Sequence, residues 1–428
     1  MVTTRMSRAS AVAKASWVAV GALLTGCPYD VVVGGNAPKG LAFDDGDAGD
    51  AATAPTVHCA REALPSPEGD VVEEIGVSLG GASCARTRRG EVLCWGLAPS
   101  WGAAPAVRVA GLSCVRALAS GRAGAAVLED GTVRTYRAAD ALLPPLPGPD
   151  GGLPDAPTFS RGTVVERPAG LGAVAGVDVG RARFCAWGED GAVRCWGAPF
   201  FGAPGEPSAP PSDGRRPIEA PTLVPSLTDV AQMSTSVDVT SGHGCALHRD
   251  GAVSCLGQNG SQQLGDGTFT ARATPRRVAG LGDVVQVSVA QGTSCAVRRD
   301  GRVMCWGGVV GDLPTGVAGP ANFVEMRGIV DATQVSAGGA HVCARTAGGR
   351  VFCWGDNQHG ALGDGTLDAH NYPAEVTGLT EVVQVAVSAS HSCALRADHT
   401  VWCWGSGAGA STDPAATGPA LRPQQIVL

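Results

Sequence analysis

Short runs in which apolar and polar residues alternate, separated by glycine-bearing turns, recur from Val71 to the C-terminus. In one unit they read Val284 to Val289, Ser294 to Arg298 and Arg302 to Trp306, and after a loop Asn322 to Met326. A period of two sends alternate side chains to opposite faces of a strand, so each unit is predicted to hold four strands. The second and third are joined by Arg299-Asp300-Gly301, a turn whose glycine can take the left-handed conformation of a three-residue hairpin loop. Pairing about that turn sets Cys295 opposite Cys305, within disulfide reach.

The ten-residue spacing appears six times: Cys84 with Cys94, Cys185 with Cys195, Cys245 with Cys255, Cys295 with Cys305, Cys343 with Cys353, and Cys393 with Cys403. A seventh copy from Ala125 to Tyr136 has Ala125 and Thr135 where the cysteines belong. The two cysteines vanish together, which supports a bond within each repeat. Cys84 and Cys393 are 309 residues apart over six intervals, a mean of 51.5, the length of one propeller blade. Alternation places Trp306 on the face opposite Cys305, so each blade offers a disulfide to one neighbour and an indole to the other. Trp95, Trp196, Trp354 and Trp404 recur at that position, with Leu256 and Tyr136 as apolar replacements.

The predicted fold is all-β, a seven-bladed propeller of four-stranded blades over residues 71–428. The first unit begins at Val71 without the strand that precedes the other units, and Arg422-Pro423-Gln424-Gln425-Ile426-Val427-Leu428 has the matching proline and apolar spacing. This C-terminal strand is expected to complete the first blade, closing the ring and removing an open sheet edge.

Residues 1–26 read as an export leader: Arg5, Arg8 and Lys14, an apolar run from Ser16 to Leu24, then Leu24-Thr25-Gly26-Cys27. The run is shorter than the roughly 20 residues a transmembrane helix needs. The Leu-Thr-Gly-Cys string resembles a bacterial lipobox, which implies a lipid on Cys27 and an anchor in the cell envelope, at the outer membrane or cell surface. Residues 27–70, with Asp44, Asp45, Asp47 and Asp50 among Gly, Ala and Pro, read as a flexible acidic tether. Loss of the leader leaves 29 basic against 39 acidic residues, a net charge of −10 that argues against a nucleic-acid partner.

The paired cysteines call for an oxidising compartment, which the leader supplies. They do not have the four-ligand grouping of a zinc site. Cys59 and Cys114 are left over and either bond each other or stay free. His243, His341 and His391 share one repeat position, but Thr293, Ala82, Ala123 and Arg183 occupy it elsewhere, so hydrogen bonding at a strand end is expected rather than a metal ring. Asp266 and Asp364 lack the acidic ladder of a calcium loop and are expected in turns. No nucleophile elbow, phosphate-binding glycine loop or His-Glu-x-x-His string occurs, and no cofactor or metal is expected.

The Ser/His-x-Cys-Ala start, the Asp-Gly turn, the Val-x-Cys-Trp-Gly strand and the Leu-Gly-Asp-Gly-Thr loops at 264–268 and 362–366 resemble the regulator of chromosome condensation repeat. The resemblance spans about 71–428 and implies a seven-bladed propeller. The nuclear member of that family exchanges nucleotide on a small GTPase and binds chromatin, an activity the export signal and acidic body argue against here. Bacterial relatives include secreted proteins that bind and inhibit other proteins, so the resemblance implies a protein partner. The alternatives are an enzyme with a loop-built site at one channel mouth and a structural envelope component. The long insertions, 138–161 and 198–221, both join a third strand to a closing strand and so reach one face of the disc. Trp101, Phe159, Phe200, Phe201 and His359 lie in loops of this type and are the candidate partner-binding residues.

Overall fold

The computed structural model describes residues 71–77, 82–96, 106–109, 111–120, 124–136, 168, 170–180, 183–197, 220–236, 242–308, 323–406 and 418–428. Every described residue belongs to one unit, Val57–Leu428. Cys27, Cys59, Trp101, Phe159, Phe200 and Phe201 lie outside the described residues.

The described residues form seven antiparallel sheets, one per blade. Blade one comprises Val72–Val77, Ser83–Thr87, Val92–Trp95 and Val107–Arg108; blade two comprises Val115–Ser120, Gly124–Leu128 and Val133–Tyr136. Blade three runs Val174–Val179, Arg183–Gly188, Val193–Gly197 and Thr222–Leu223, and blade four Val230–Thr235, His243–His248, Val253–Gly257 and Arg272–Arg277. Blade five holds Val284–Val289, Thr293–Arg298, Val303–Gly307 and Val324–Glu325, and blade six Ala332–Ala337, His341–Thr346, Val351–Gly355 and His370–Glu375. Blade seven is Val382–Val387, His391–Arg396, Val401–Gly405 and Ala420–Ile426. The outer strands of blades four, six and seven carry Pro275, Pro373 and Pro423, which a strand tolerates at an edge because proline has no N–H to give a neighbour.

The hairpin register is the one the turn dictates. Cys295 faces Cys305, the other five cysteine pairs face each other in the same way, and Ala125 faces Thr135 in blade two. Disulfides join Cys84 to Cys94 in blade one, Cys185 to Cys195 in blade three and Cys245 to Cys255 in blade four. They likewise join Cys295 to Cys305 in blade five, Cys343 to Cys353 in blade six and Cys393 to Cys403 in blade seven. Their Cα atoms lie 4.0 Å apart in blade one and 4.1 Å apart in the other five. That is close to the ~4.5 Å of the tighter antiparallel pairs.

Seven buried clusters mark seven blade joints, and each repeats one arrangement. The disulfide face of blade four meets Met304 and Trp306 of blade five, that of five meets Phe352 and Trp354 of six, and that of six meets Trp404 of seven. Blade seven meets Trp95 of one, blade one meets Tyr136 of two, and blade three meets Leu256 of four. Blade two, without a hairpin disulfide, offers Ala125, Val127 and Val133 to Trp196 of three. Each sequestered indole removes roughly 150–250 Å² from water, on the order of 4–6 kcal/mol at ~25 cal/mol/Å².

The innermost strands are tied by a polar belt. The Gln232 side chain accepts from Val287 N at 3.0 Å and donates to Val287 O at 3.1 Å, linking blade four to five. Gln286 does the same to Val335, Gln334 to Val385, and Gln384 to Ile75. The last of these joins blade seven to blade one with the geometry used inside the ring. Glu74 continues the belt by accepting from Leu118 N of blade two at 3.2 Å. Ala117 and Gly176 hold the belt position in blades two and three and cannot extend it.

The C-terminal strand sits at the closing joint, with one change from the sequence expectation. Its backbone pairs with Val401–Gly405, so it is the fourth strand of blade seven. Blade one has its own fourth strand in Val107–Arg108. Contact with the first blade is through side chains: Ile426 shares a buried cluster with Val72, Ile75 and Trp95. The proline-apolar spacing marks a strand that comes before the next blade's inner strand, and that order leaves open which of the two blades it hydrogen-bonds.

Candidate functional site

Antiparallel order assigns the two ends of the ring. The first strand of a blade starts beside that blade's hairpin turn: Val72 pairs with Thr87, and Arg88 N of the turn donates to Val71 O at 2.8 Å. Loops between third and fourth strands therefore emerge at the other end. Val71 thus lies on the turn face, and the third strands end on the loop face; the long insertions 138–161 and 198–221 lie almost wholly outside the described residues.

Two loops on that face, in blades four and six, share an internally bonded cassette. In blade four, Asn259 is fully buried, and its Nδ2 lies within hydrogen-bond distance of Asp266 Oδ1, Thr268 O and Oγ1, and Thr270 O. Its Oδ1 accepts from Leu264 N at 3.0 Å. Asn357 repeats every one of these contacts with Asp364, Thr366, Asp368 and Leu362. Each aspartate also caps its own turn, accepting from the N–H and hydroxyl of Thr268 or Thr366. Asp266 is further paired with Arg272, and Asp364 faces His370 Nε2 at 3.3 Å. These hydrogen bonds hold both carboxyls below the ordinary aspartate pKa against the opposing effect of desolvation. The aspartates are thus used inside the turn, where a calcium loop would direct them at an ion.

The cassettes are latched to the next blade. The Gln263 carbonyl accepts from Trp306 Nε1 and Ser294 Oγ of blade five, both at 2.9 Å. The Ala361 carbonyl accepts from Trp404 Nε1 at 2.8 Å and Ser392 Oγ at 3.1 Å in blade seven. Gly363, at φ 70°, lies against the indole of Trp404; a Cβ there would come to 2.8 Å from its Cδ1 and Nε1. That contact explains the glycine of Leu-Gly-Asp-Gly-Thr.

So held, each cassette turns its next residue into solvent. Phe269 is 67% exposed and Leu367, at the equivalent position, 49%. In blade six Tyr372 is 67% exposed and stacks on His370 with ring centroids 4.7 Å apart. His359 is also exposed in the same loop, where the sequence placed it. Phe269, Leu367 and Tyr372 were missed because Leu-Gly-Asp-Gly-Thr reads as a turn and its product, an outward apolar residue, depends on Asn259 and Asn357 several residues earlier. The signal was the recurrence of an apolar residue directly after both copies. The other candidates, Trp101, Phe159, Phe200 and Phe201, lie outside the described residues.

The repeated histidines are joint fasteners. His243 Nε2 meets Ser294 Oγ at 2.8 Å, His341 meets Ser392 at 2.8 Å, and His391 meets Ser83 at 2.9 Å, each in the next blade. Since Ser294 and Ser392 donate their one proton to loop carbonyls, the imidazole Nε2–H is the donor. Burial pushes His243 and His341 down to about 3 and His391 to about 4. Both members of each pair are buried, so no serine of these pairs is open to a substrate. Among the described residues no grouping of three or more His, Cys, Asp or Glu could hold a metal ion.

A family model described as the regulator of chromosome condensation (RCC1) repeat matches residues 250–297 and 348–395, and a second model of the same description matches 332–361. No curated protein sequence matches the chain. Among solved structures, yeast RCC1 (Prp20) bound to Kap60 is 16% identical with a TM-score of 0.59, covering 88% of this chain and 91% of that one. Prp20p from Saccharomyces cerevisiae is 17% identical, TM-score 0.56, covering 74% and 77%. Human WBSCR16 is 20% identical, TM-score 0.57, covering 76% and 86%. At these identities the likeness concerns the fold. Repeat matches and ring together give one conclusion: the chain carries regulator of chromosome condensation repeats, and they build a seven-bladed β-propeller.

Proposed function

We propose that this protein is a lipid-anchored protein-binding module of the bacterial cell envelope, with Cys27 as the anchor and the loop face as the docking surface. The observation that carries the reading is the pair of latched cassettes, which hold Phe269 and Leu367 outward at equivalent positions on one face. Rigid presentation lowers the entropic cost of docking, and exposed aromatic and apolar anchors are the usual sources of interface energy. Prp20p has been described as binding Gsp1p and histones, and Prp20 as bound to Kap60, so propellers of this shape can take protein partners. Nothing in the acidic body favours the nucleic-acid side of that biology.

The test is co-isolation from native envelopes of the protein and a Phe269→Ala, Leu367→Ala, Tyr372→Ala variant. The reading expects a partner enriched with the parent and at least tenfold depleted with the variant, at an unchanged melting temperature. Equal recovery with both would refute the docking surface. Replacing Cys27 with serine separately checks the anchor, which predicts release into the soluble fraction.

A further inference from the structure

Cys114 immediately precedes the first strand of blade two, the place held by Asp229, Asp283, Asp331 and Glu381 in blades four to seven. The backbone is the same at all five residues. Their φ angles lie between 54° and 59°, in the left-handed region. Each carbonyl accepts from its own blade's hairpin turn: Cys114 from Glu129 N, Asp229 from Arg249 N, Asp283 from Arg299 N, Asp331 from Ala347 N and Glu381 from Ala397 N. The side chains differ. The four acidic residues are exposed, whereas Cys114 is only 2% exposed. The shared backbone does not account for that difference.

Cys114 is itself disulfide-bonded. The chain has 15 cysteines, and the six hairpin pairs use all but Cys27, Cys59 and Cys114. An intrachain partner is therefore Cys27 or Cys59. We infer that Cys59 is the partner, forming a seventh disulfide that staples the segment before blade one to the joint between blades one and two. The choice rests on the proposed anchor in one respect: a Cys27 sulfur held in a thioether to lipid is not free to bond. Formation balances as for the hairpin pairs. The two thiols lose two electrons and two protons to an exported protein disulfide, which is reduced to its dithiol.

The staple would fall on blade two, beside a joint to blade one that Glu74 and Leu118 also tie. Blade two has Ala125 and Thr135 in place of a hairpin disulfide, and Ala117 in place of a belt glutamine. Cys114 also lies between two hairpin turns, because Val115 N donates to Gly90 O of blade one at 2.9 Å and Glu129 belongs to blade two. The bond would thus lie at the turn end of the ring, opposite Phe269 and Leu367.

Peptide mapping of the non-reduced full-length protein tests this, performed on the parent, a Cys27→Ser variant and a Cys59→Ser variant after thiol alkylation in denaturant. The inference expects a Cys59–Cys114 linked peptide in the parent and in Cys27→Ser, and an alkylated Cys114 in Cys59→Ser. It is overturned if Cys114 is linked to Cys27 or to a second chain, if it is alkylated in the parent, or if it stays blocked in Cys59→Ser. A Cys27→Ser protein that stays in the membrane fraction yet keeps the Cys59–Cys114 link would sink the anchor alone and leave this bond standing.

Discussion

His391 of blade seven holds Ser83 of blade one across the closing joint, Nε2 to Oγ at 2.9 Å, with both residues fully buried. The same pairing ties His243 to Ser294 and His341 to Ser392 inside the ring, so the closure is fastened like an ordinary joint. His391→Ala removes a ring from a packed site and leaves polar groups without a partner. It should cost about 2–4 kcal/mol, against about 1 kcal/mol for Ser83→Ala. A double-mutant cycle in urea should show coupling of about 1 kcal/mol; strict additivity would argue against the fastener.

The buried histidines set the acid limit. Their folded pKa values, about 3 for His243 and His341 and about 4 for His391, lie below the ordinary histidine value near 6.5. The stability they contribute is present above pH 6.5 and is lost as pH falls through these values, because the unfolded chain takes up the protons first. Asp178 works the other way. It keeps some exposed surface but is otherwise enclosed, and burial pushes it up to about 6 although Thr235 donates to it from N and Oγ1. Its contribution is present below about pH 4 and fades as pH rises through 6. Glu74, which burial also pushes up, adds to the opposing side, and three protons against two predict that unfolding free energy falls between pH 6 and 4, by roughly 1–2 kcal/mol per pH unit at the steepest. Urea midpoints across that range check the sign, and a midpoint that rises on acidification would contradict it.

Deleting residues 418–428 strips the fourth strand from blade seven and leaves Val401–Gly405 as an unpaired edge. It also takes Ile426 out of the cluster with Val72 and Trp95. The truncated protein should melt at least 10 °C lower or aggregate, by loss of several kcal/mol of burial and a newly open edge. Light scattering during a thermal melt reads both outcomes, and an unaltered melt would show that the strand does not close the ring.

Ala125 and Thr135 are cross-strand partners at the place where six other blades carry a disulfide. The Ala125→Cys, Thr135→Cys double variant should form a bond without rearrangement. For a loop of about ten residues the chain-entropy view gives roughly 2–3 kcal/mol, less where the hairpin persists in the unfolded chain. Non-reducing peptide maps should show the new link and the melting temperature should rise. Two free thiols in the folded variant would mean the blade-two hairpin departs from this register.

Much of the architecture was legible because it is local. The hairpin turn dictates that Cys295 faces Cys305, and alternation then dictates that Trp306 points to the other neighbour; both relations stand in the ring. The blade with neither cysteine was recognisable for the same reason. What escaped depends on partners far along the chain. Gln232, Gln286, Gln334 and Gln384 read as ordinary polar residues on strands, yet each spans a joint to a backbone 49 to 309 residues away. The hydrogen-bonding partner of the last strand escaped because its sequence shows only its order. Phe269 and Leu367 escaped because their exposure follows from buried Asn259 and Asn357, whose role appears only once the loop is folded.

The central claim is that partners dock on the loop face and not on the turn face. Site-specific photocrosslinking in intact cells tests it most directly, with a crosslinking residue placed at Phe269, at Leu367 or at Val330, which is 70% exposed beside the inner-strand start of blade six. The account predicts that positions 269 and 367 yield the same protein adduct, identified by mass spectrometry, and that position 330 yields none of it. An adduct from position 330 alone, or the same adduct from all three, would contradict docking on the loop face.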